Sequence, residues 1–267
     1  KLAQMALSKN YEVYSSDIQE LSVYGNFVKL DISGKAQVDE AFKTIKPDVV
    51  VHAATLTDVD KCELNKALAW KVNVEGTKNI VEAAKATGSF LIYISTDYIF
   101  GGETGRYKET DAPNPINYYG VTKLKAEEIV KTQKEYFIAR PSVMYGSTPA
   151  AGKVNFALWI IENLRKGKHV KIVTDQWNTP TLNTNLAEMT LEAMERKLTG
   201  IYHLCGATRV SRFKFAEQIA DVFSLDKSLI EKVLSSQFTL PAKRPMDSSL
   251  DTSKAQQTMQ HKPLEMD

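Results

Sequence analysis

A tyrosine and a lysine four residues apart, Tyr119 and Lys123, form the pair in this sequence best suited to proton transfer. Residues i and i+4 share one helix face, and the two lie at the start of a predicted helix over residues 118–134. An ammonium group near a phenol favours the phenolate, so we predict that Lys123 lowers the pKa of Tyr119 from about 10. Tyr119 then serves as a general acid near neutral pH. The spacing alone is common, and its position after a buried strand is what favours a role in chemistry.

Two predicted strands end in residues that are suited to meeting a ligand. The apolar strand 90–95 is followed by Thr96, Asp97 and Tyr98, and the strand 48–52 is followed by Ala53, Ala54 and Thr55. Ligands of doubly wound sheets bind beyond the carboxyl ends of the strands. Three polar side chains after so apolar a run indicate a site. The small residues allow a close approach of a cofactor, although ordinary turn packing explains them equally well.

The elements that must position these residues alternate between strand and helix about every 30 residues, which is typical of a parallel sheet with crossover helices. The predicted strands cover 11–15, 26–30, 48–52, 90–95 and 137–139, and the helices 1–9, 35–45, 62–86 and 118–134. We therefore predict an α/β fold, a Rossmann-like doubly wound parallel sheet with a smaller C-terminal substrate-binding lobe.

The second half has a less regular pattern. Helices are predicted at 153–166, 183–196 and 211–223, and strands at 169–173 and 200–204. We place the boundary between an NAD(P)-binding domain at 1–147 and a substrate-binding lobe at 148–267, and we expect the two to interleave because no flexible linker separates them.

Composition narrows the classes of function. The 267 residues carry a net charge of +2, which gives no support for nucleic-acid or anionic-membrane partners. No apolar run of about 18 residues is present to span a membrane. The two cysteines indicate reduced thiols and a cytoplasmic protein.

The four histidines lack metal-ligand spacing, so we predict no metal site, with His52 and His203 in the core. The helix face with Lys125, Glu127 and Glu128 is interpreted as a solvated surface.

Longer strings around these residues are familiar. They are VVVHAA at 49–54, TDVDKCE at 57–63, VNVEGT at 72–77, STDYIFGG at 95–102, YKE at 107–109, PNPINYYGVTK at 113–123, DQWNTPT at 175–181 and RPMDSSLD at 244–251. Over nearly its whole length the chain resembles the extended short-chain dehydrogenase/reductases, and within them the dTDP-4-dehydrorhamnose reductase family.

The resemblance implies a role for each matching residue. Tyr119 is the proton donor to the C4 oxygen, Lys123 binds the nicotinamide ribose and tunes Tyr119, and Thr96 hydrogen-bonds the reacting carbonyl. The remaining implied contacts are Asp97 and Tyr98 beside the sugar, Asp31 and Ile32 beside the adenine, and Ala53, Ala54 and Thr55 along the dinucleotide backbone.

The implied reaction is hydride transfer from NADPH or NADH to C4 of a nucleotide-linked sugar, dTDP-4-dehydro-L-rhamnose, in a possible homodimer. Asp17, after the second strand, can accept from a ribose 2′-OH and favour NADH, whereas Ser15 and Ser16 can accommodate a phosphate. The choice between the two cofactors stays open.

Two departures from the family pattern stand out. The Gly-x-x-Gly-x-x-Gly loop is absent before the first helix, so we expect the natural protein to extend about 15 residues before Lys1, the span of a strand and a glycine loop. Loss of cofactor binding is the alternative. Val143 stands where bacterial members often carry a tryptophan near the sugar, which leaves the exact hexose open.

Two further classes of function compete with reduction. The β subunit of methionine adenosyltransferase resembles the same family and acts by binding its partner enzyme, so a regulatory subunit is possible. An epimerase or a dehydratase of the wider group is the other class. Dehydratases tend to carry Asp-Glu after the strand-end threonine, and Asp97-Tyr98 at this place argues against dehydration.

Overall fold

Strands and helices alternate through most of the computed structural model, which describes residues 1–20, 24–148 and 154–266. The strands are β1 Tyr14–Asp17, β2 Asn26–Lys29, β3 Val49–His52, β4 Phe90–Ile94, β5 Tyr136–Ala139, β6 Met144–Tyr145, β7 Val170–Val173, β8 Trp177–Asn178, β9 Thr181–Leu182, β10 Gly200–Tyr202, β11 Val210–Ser211 and β12 Ile230–Val233. The α-helices are α1 Leu2–Ser8, α2 Lys35–Ile45, α3 Val59–Leu64, α4 Lys66–Trp70, α5 Gly76–Thr87, α6 Tyr118–Val130, α7 Phe156–Arg165, α8 Asn183–Glu195, α9 Arg212–Val222 and α10 Ser253–Thr258.

The central sheet has four parallel strands in the order β10-β5-β4-β3. The β-branched run Val49-Val50-Val51 and the apolar run of β4 suit strands covered on both faces. Strands β1 and β2 form a second parallel pair, which within the described ranges makes no ladder with the four-stranded sheet. The predicted parallel α/β architecture is confirmed.

Helices cover both faces of this sheet, as a doubly wound fold requires. Side chains of β4 alternate, so Leu91 and Tyr93 face one core while Phe90 and Ile92 face the other. The first core is completed by α2, α5 and α6, and the second by α8 and α10. The site residues at the end of β4 are thereby held on a strand that is packed on both sides.

A third core lies in the second half of the chain, between helices α7 and α9 and the parallel pair β7–β12. Ile160, Ile172, Phe215 and Ile230 are among its buried members. The second half also supplies β10, which pairs with β5 of the central sheet. The two halves therefore share one sheet, while the boundary at residue 147 stays a prediction.

Most predicted elements occur within a few residues of their expected bounds. Helix α2 ends as predicted, because Lys46 adopts a left-handed conformation before Pro47. The helical stretch expected over 62–86 is several helices in series, with a five-residue π-helix at Lys71–Glu75 before α5. Of the helix predicted at 153–166, residue 153 lies outside the described residues, and α7 begins at Phe156.

Candidate active site

The carboxyl end of β4 turns at once into a short 3-10 helix, Asp97–Ile99. Thr96 caps this helix, since its Oγ1 accepts a hydrogen bond from the Tyr98 backbone N–H at 3.2 Å. The cap fixes the direction of the Thr96 hydroxyl relative to the strand end. Thr96 and Asp97 are both buried.

Helix α6 begins against this turn. Asn117 caps it, because Oδ1 accepts from the Gly120 N–H at 2.9 Å. A Cβ on Gly120 would lie 2.1 Å from the Tyr98 carbonyl oxygen, so a side chain there is excluded by the close approach of the helix to the turn. This approach places Tyr119 beside Tyr98, with ring centroids 6.1 Å apart and an edge-to-face orientation.

The Thr96 hydroxyl lies close enough to the Tyr119 hydroxyl to act on its pKa. Burial raises the pKa of Tyr119 well above its ordinary value, and the Thr96 hydroxyl only partly opposes this. The prediction that Lys123 lowers the pKa of Tyr119 is therefore wrong for this structure. The physical reason is that the phenol is desolvated, while the lysine is directed to other groups.

Lys123 is almost fully buried, at 1% exposure. Its Nζ donates to the Ile94 carbonyl at 2.8 Å and lies 4.1 Å from the centroid of the Tyr93 ring. Burial lowers the pKa of Lys123 to about 7, and the charge of Glu127 opposes this shift. Ile94 supplies the hydrogen-bond acceptor of this ammonium among the described residues, which leaves donor capacity for a bound ligand.

Asp97 is held by three hydroxyl groups. Its Oδ1 accepts from Thr96 at 3.1 Å, and its Oδ2 accepts from Ser142 at 2.8 Å and from Ser248 at 2.6 Å. Burial raises the pKa of Asp97, and these hydrogen bonds oppose the rise. The carboxyl group thus joins the strand end to two other segments, and its predicted contact with the sugar stays a prediction.

Tyr98 is half-buried and faces two cations of the second half of the chain. Burial raises the pKa of the Tyr98 hydroxyl, and the positive charges of Arg212 and Arg244 oppose this rise. Arg244 is held in turn by Asp60 through two hydrogen bonds of 2.7 Å. The predicted sugar-side residue therefore lies beside positive charge, as an anionic ligand requires.

The predicted cofactor residues are spread over the ends of β1, β2 and β3. Ala53 and Ala54 are exposed after β3, and Asp31 is exposed after β2, with its Oδ1 accepting from the Ser33 N–H at 2.9 Å. Asp17, the last residue of β1, is also exposed, which leaves its carboxylate accessible.

Two of the predicted cofactor residues have other contacts. The Ile32 side chain is buried against Gly76, so only its backbone is free to border an adenine. Thr55 donates to Asn73 Oδ1 at 2.8 Å. Asn73 lies in the π-helix and also donates to Thr122 on α6 at 3.0 Å, which ties the turn after β3 to the helix of Tyr119. The roles of both residues toward a cofactor stay predictions.

The prediction that Glu127 belongs to a solvated face is wrong. Glu127 is fully buried and accepts two hydrogen bonds from Arg140 and one from Ser95. Lys125 and Glu128 are exposed, as expected. The signal that could have found Glu127 is its position one turn after Lys123, on the same helix face.

Val143 has a positive φ of 38°, which is rare for a β-branched residue. Its carbonyl accepts from the Thr181 N–H at 3.2 Å, while Thr181 Oγ1 accepts from the Ser142 N–H at 3.1 Å. The strained residue therefore lies directly after Ser142, which binds Asp97. Strain of this kind clusters near functional sites.

The remaining sequence-based assignments concern histidines, metals and membranes. His52 and His203 are buried, as predicted, and burial lowers the pKa of each to about 3. The part of the chain that the structure describes holds no group of three or more His, Cys, Asp or Glu side chains placed to bind a metal ion. Within the same part, no helix has the length and apolar character needed to cross a bilayer.

A Rossmann-like parallel sheet with Thr96, Tyr119 and Lys123 at one edge defines the class of the extended short-chain dehydrogenase/reductases. The chain belongs to the family described as RmlD substrate binding domain, which matches residues 1–266.

Solved structures and curated relatives agree with this assignment. A hypothetical dTDP-4-dehydrorhamnose reductase from Sulfolobus tokodaii is 35% identical, with a TM-score of 0.88 over 100% of this chain and 93% of that chain. A dTDP-4-dehydrorhamnose reductase from Bacillus anthracis, solved in complex with NADP, is 31% identical, with a TM-score of 0.80 over 86% of this chain and 83% of that chain.

Two curated relatives differ in what they are named for. A probable low-salt glycan biosynthesis reductase of Haloferax volcanii is 35% identical over 228 residues, which are 84% of this chain and 76% of that protein. The methionine adenosyltransferase 2 subunit beta of Xenopus laevis is 30% identical over 234 residues, which are 85% of this chain and 70% of that protein. The chain is thus similar both to proteins named as reductases and to a protein named as a subunit of another enzyme.

Proposed function

We propose that this protein reduces the C4 keto group of dTDP-4-dehydro-L-rhamnose with NADPH or NADH and forms dTDP-L-rhamnose. One observation carries the proposal: Thr96, Tyr119 and Lys123 are all buried at the end of β4, where the Lys123 ammonium binds the Ile94 carbonyl. Similarity to dTDP-4-dehydrorhamnose reductases, one of them solved with NADP, supports the choice of substrate and cofactor.

Reduction of the ketone requires a hydride at C4 and a proton at O4. The nicotinamide ring supplies the hydride when the cofactor is bound. Tyr119 is a neutral phenol at physiological pH because burial raises its pKa, so it carries the proton that O4 needs. Thr96 donates a hydrogen bond to the same oxygen while negative charge develops on it. To do so, the Thr96 hydroxyl must turn from Asp97 toward the substrate.

The cofactor-side residues fit a dinucleotide. Small, exposed Ala53 and Ala54 permit close approach to the end of β3, and the buried Lys123 ammonium has donors to spare for a ribose hydroxyl. Asp31, Ile32 and Thr55 border the same edge, and Asp17 is available to a 2′-OH. Comparing KM for NADH and NADPH in wild type and Asp17→Ala tests the choice between the two cofactors.

The proposal extends to the rest of the molecule. Residues 148–267 chiefly form the substrate-binding lobe, with Asp97 and Tyr98 toward the sugar. The positive charge of Arg212 and Arg244 beside Tyr98 supports a nucleotide-linked, anionic substrate. We place the enzyme in the cytoplasm as a homodimer, on the family resemblance and on the cysteine usage.

Tyr119→Phe tests the function directly. It removes the proton donor and keeps the ring, so NADPH oxidation with dTDP-4-dehydro-L-rhamnose falls by about 10²–10⁴-fold. Tyr118→Phe is the matched control, since Tyr118 is the adjacent, half-buried tyrosine of the same helix. Wild-type turnover in Tyr119→Phe would show that another group supplies the proton.

A regulatory subunit is the second candidate, and the similarity to the methionine adenosyltransferase 2 subunit beta favours it. A protein of this kind binds a partner enzyme and can keep the reductase motif without turnover. Absence of turnover with any 4-keto sugar nucleotide, together with tight binding to a methionine adenosyltransferase catalytic subunit in calorimetry, would decide for it. An epimerase remains a fold-level alternative, since the structural likeness to UDP-glucose 4-epimerase is at 20% identity.

A further inference from the structure

The buried ion pair of Glu127 and Arg140 lies directly behind the candidate active site. Arg140 donates from Nε to Glu127 Oε1 at 2.9 Å and from a terminal nitrogen to Oε2 at 2.7 Å. The two side chains are 0% and 1% exposed. A fork-to-fork pair of this kind fixes both side chains in one orientation.

The pair touches both elements that carry the chemistry. Glu127 lies one turn after Lys123 on α6, so the two side chains project from the same face of the helix. On the other side, Ser95 donates to Glu127 Oε1 at 2.6 Å, and Ser95 immediately precedes Thr96. One carboxylate thereby connects the helix of the proton donor with the strand end that holds its partner hydroxyl.

We infer that Glu127 and Arg140 are positioning residues: Glu127 favours the cationic form of Lys123, Arg140 balances the charge of Glu127, and the pair aligns Lys123 with Thr96. This inference deepens the proposed function, on which it rests for the identity of the reaction. Glu127 and Arg140 act through Lys123 and Ser95, and neither is a donor to the substrate.

The charges that face Lys123 come from three elements. Glu127 acts from α6, on which Tyr119 lies one turn before Lys123; the Tyr93 ring and the Ile94 carbonyl act from β4, and the neutral His52 from β3. Glu127 is the anion among them that opposes the desolvation of Lys123. Arg140 lies beyond Glu127 and cannot lose its proton.

A buried pair is costly to break because the remaining partner is an uncompensated charge. That charge is positive in one single variant and negative in the other, so the two variants should shift the Lys123 midpoint in opposite directions. Glu127→Gln leaves the Arg140 cation unpaired and disfavours a second cation at Lys123. Arg140→Gln leaves Glu127 with only the more distant Lys131 ammonium, 3.9 Å from Oε2, as a cationic partner, and so favours the cation at Lys123. The double variant removes both charges of the pair, so neither an unpaired cation nor an unpaired anion remains next to Lys123.

The measurement is an NMR titration of the protein labelled with ¹³Cε-lysine, with the Lys123 signal assigned by its loss in Lys123→Ala. In wild type we expect a midpoint of about 7. Glu127→Gln lowers this midpoint by about one pH unit, Arg140→Gln raises it by a similar amount, and Glu127→Gln/Arg140→Gln returns it toward wild type. If one single variant fails to fold, the other single variant and the double variant still decide the outcome.

Glu192→Gln is the matched control. Glu192 is also a buried carboxylate held by an arginine, Arg196, but it lies on α8 away from the site. Its loss lowers the Tm and leaves the Lys123 midpoint unchanged. Single variants that shift the midpoint in the same direction, or fold normally and do not shift it, would overturn the inference and leave the pair a purely structural contact.

The same variants separate this inference from the proposed function. With 4-keto sugar reduction as the assay, the pH at which kcat falls on the alkaline side follows the Lys123 midpoint in each variant. Should no 4-keto sugar nucleotide be turned over, the proposed function fails, while the NMR midpoints still test the inference about Lys123.

Discussion

Gly120→Ala is predicted to damage both the stability and the activity of the protein. The added Cβ would lie 2.1 Å from the Tyr98 carbonyl oxygen and 2.9 Å from Pro115 Cβ, where ordinary contact begins at 3.4 Å. Because the obstruction is backbone, helix α6 must move away from the turn after β4 by about 1 Å, and Tyr119 moves with it. A displacement of this size at reacting groups costs about 100-fold in kcat/KM.

The stability change expected for Gly120→Ala is opposite in sign to the usual effect of replacing glycine by alanine in a helix. In an unobstructed helix, replacing glycine by alanine stabilises by about 0.5–1 kcal/mol. Overpacking costs about 1–3 kcal/mol instead, which corresponds to a Tm lower by about 2–10 °C for a chain of this length.

Calorimetry and steady-state kinetics on the same preparation test both effects. Gly34→Ala serves as control, because Gly34 also lies at a helix N-terminus and its Cβ would meet the flexible Gln37 side chain at 3.3 Å and the Asp31 carbonyl oxygen at an ordinary contact distance of 3.4 Å. A Gly120→Ala protein with a Tm at or above wild type and unchanged kcat/KM would refute the reasoning about the close approach of α6 and the turn.

Two further predictions concern ionisable groups away from the reaction. Burial raises the pKa of Glu192, but hydrogen bonds from the Gln260 and His261 backbone, the His261 ring and Arg196 together lower it to about 2. Because the folded pKa lies below the unfolded value of 4.5, this stabilisation is present above about pH 4.5 and is lost as the pH falls toward 2. Urea unfolding between pH 2 and pH 6 should therefore show a smaller loss of stability in Glu192→Gln than in wild type, and equal slopes would contradict the assignment. Burial raises the pKa of the Cys205 thiol to about 12, so mass spectrometry after iodoacetamide treatment at pH 8 should find Cys205 alkylated only in urea. Alkylation at the same rate without urea would show that the thiol is accessible.

The sequence predicted the elements whose signals are local. The apolar runs of β3 and β4 and the residues that end them were identified, because strand composition and strand-end polarity are visible within ten residues. The predicted strand 11–15 begins three residues and ends two residues before β1, since the register of β1 is set by pairing with β2, where Tyr14 faces Asn26. Strand β12 and the two-residue strands escaped detection because short segments acquire their conformation from distant partners.

The sequence was sufficient to predict which residues form the candidate site, but not how their surroundings shift the pKa values of those residues. The spacing of Tyr119 and Lys123 identified the pair, yet the direction of the tyrosine pKa depends on burial, which no spacing reveals. Glu127 looked like a surface residue because its helix is rich in charge. Its partner Arg140 comes from the end of another strand, and only the folded sheet brings the two together.

The contacts of Asp97 with Ser248 and of Asp60 with Arg244 have a consequence for how the protein is made. Ser248 reaches Asp97 across 151 residues of sequence, and Arg244 reaches Asp60 across 184. At about 5–20 residues per second, a ribosome that has made Asp97 needs roughly 8–30 s to make Ser248. During that interval the nascent chain already holds Thr96 and Tyr119, while the Asp97 carboxyl lacks one of its three hydroxyl donors. The site is therefore completed only well after Thr96 and Tyr119 have been made, and a chain cut shortly before residue 244 keeps its proton donor but not the environment that orients it.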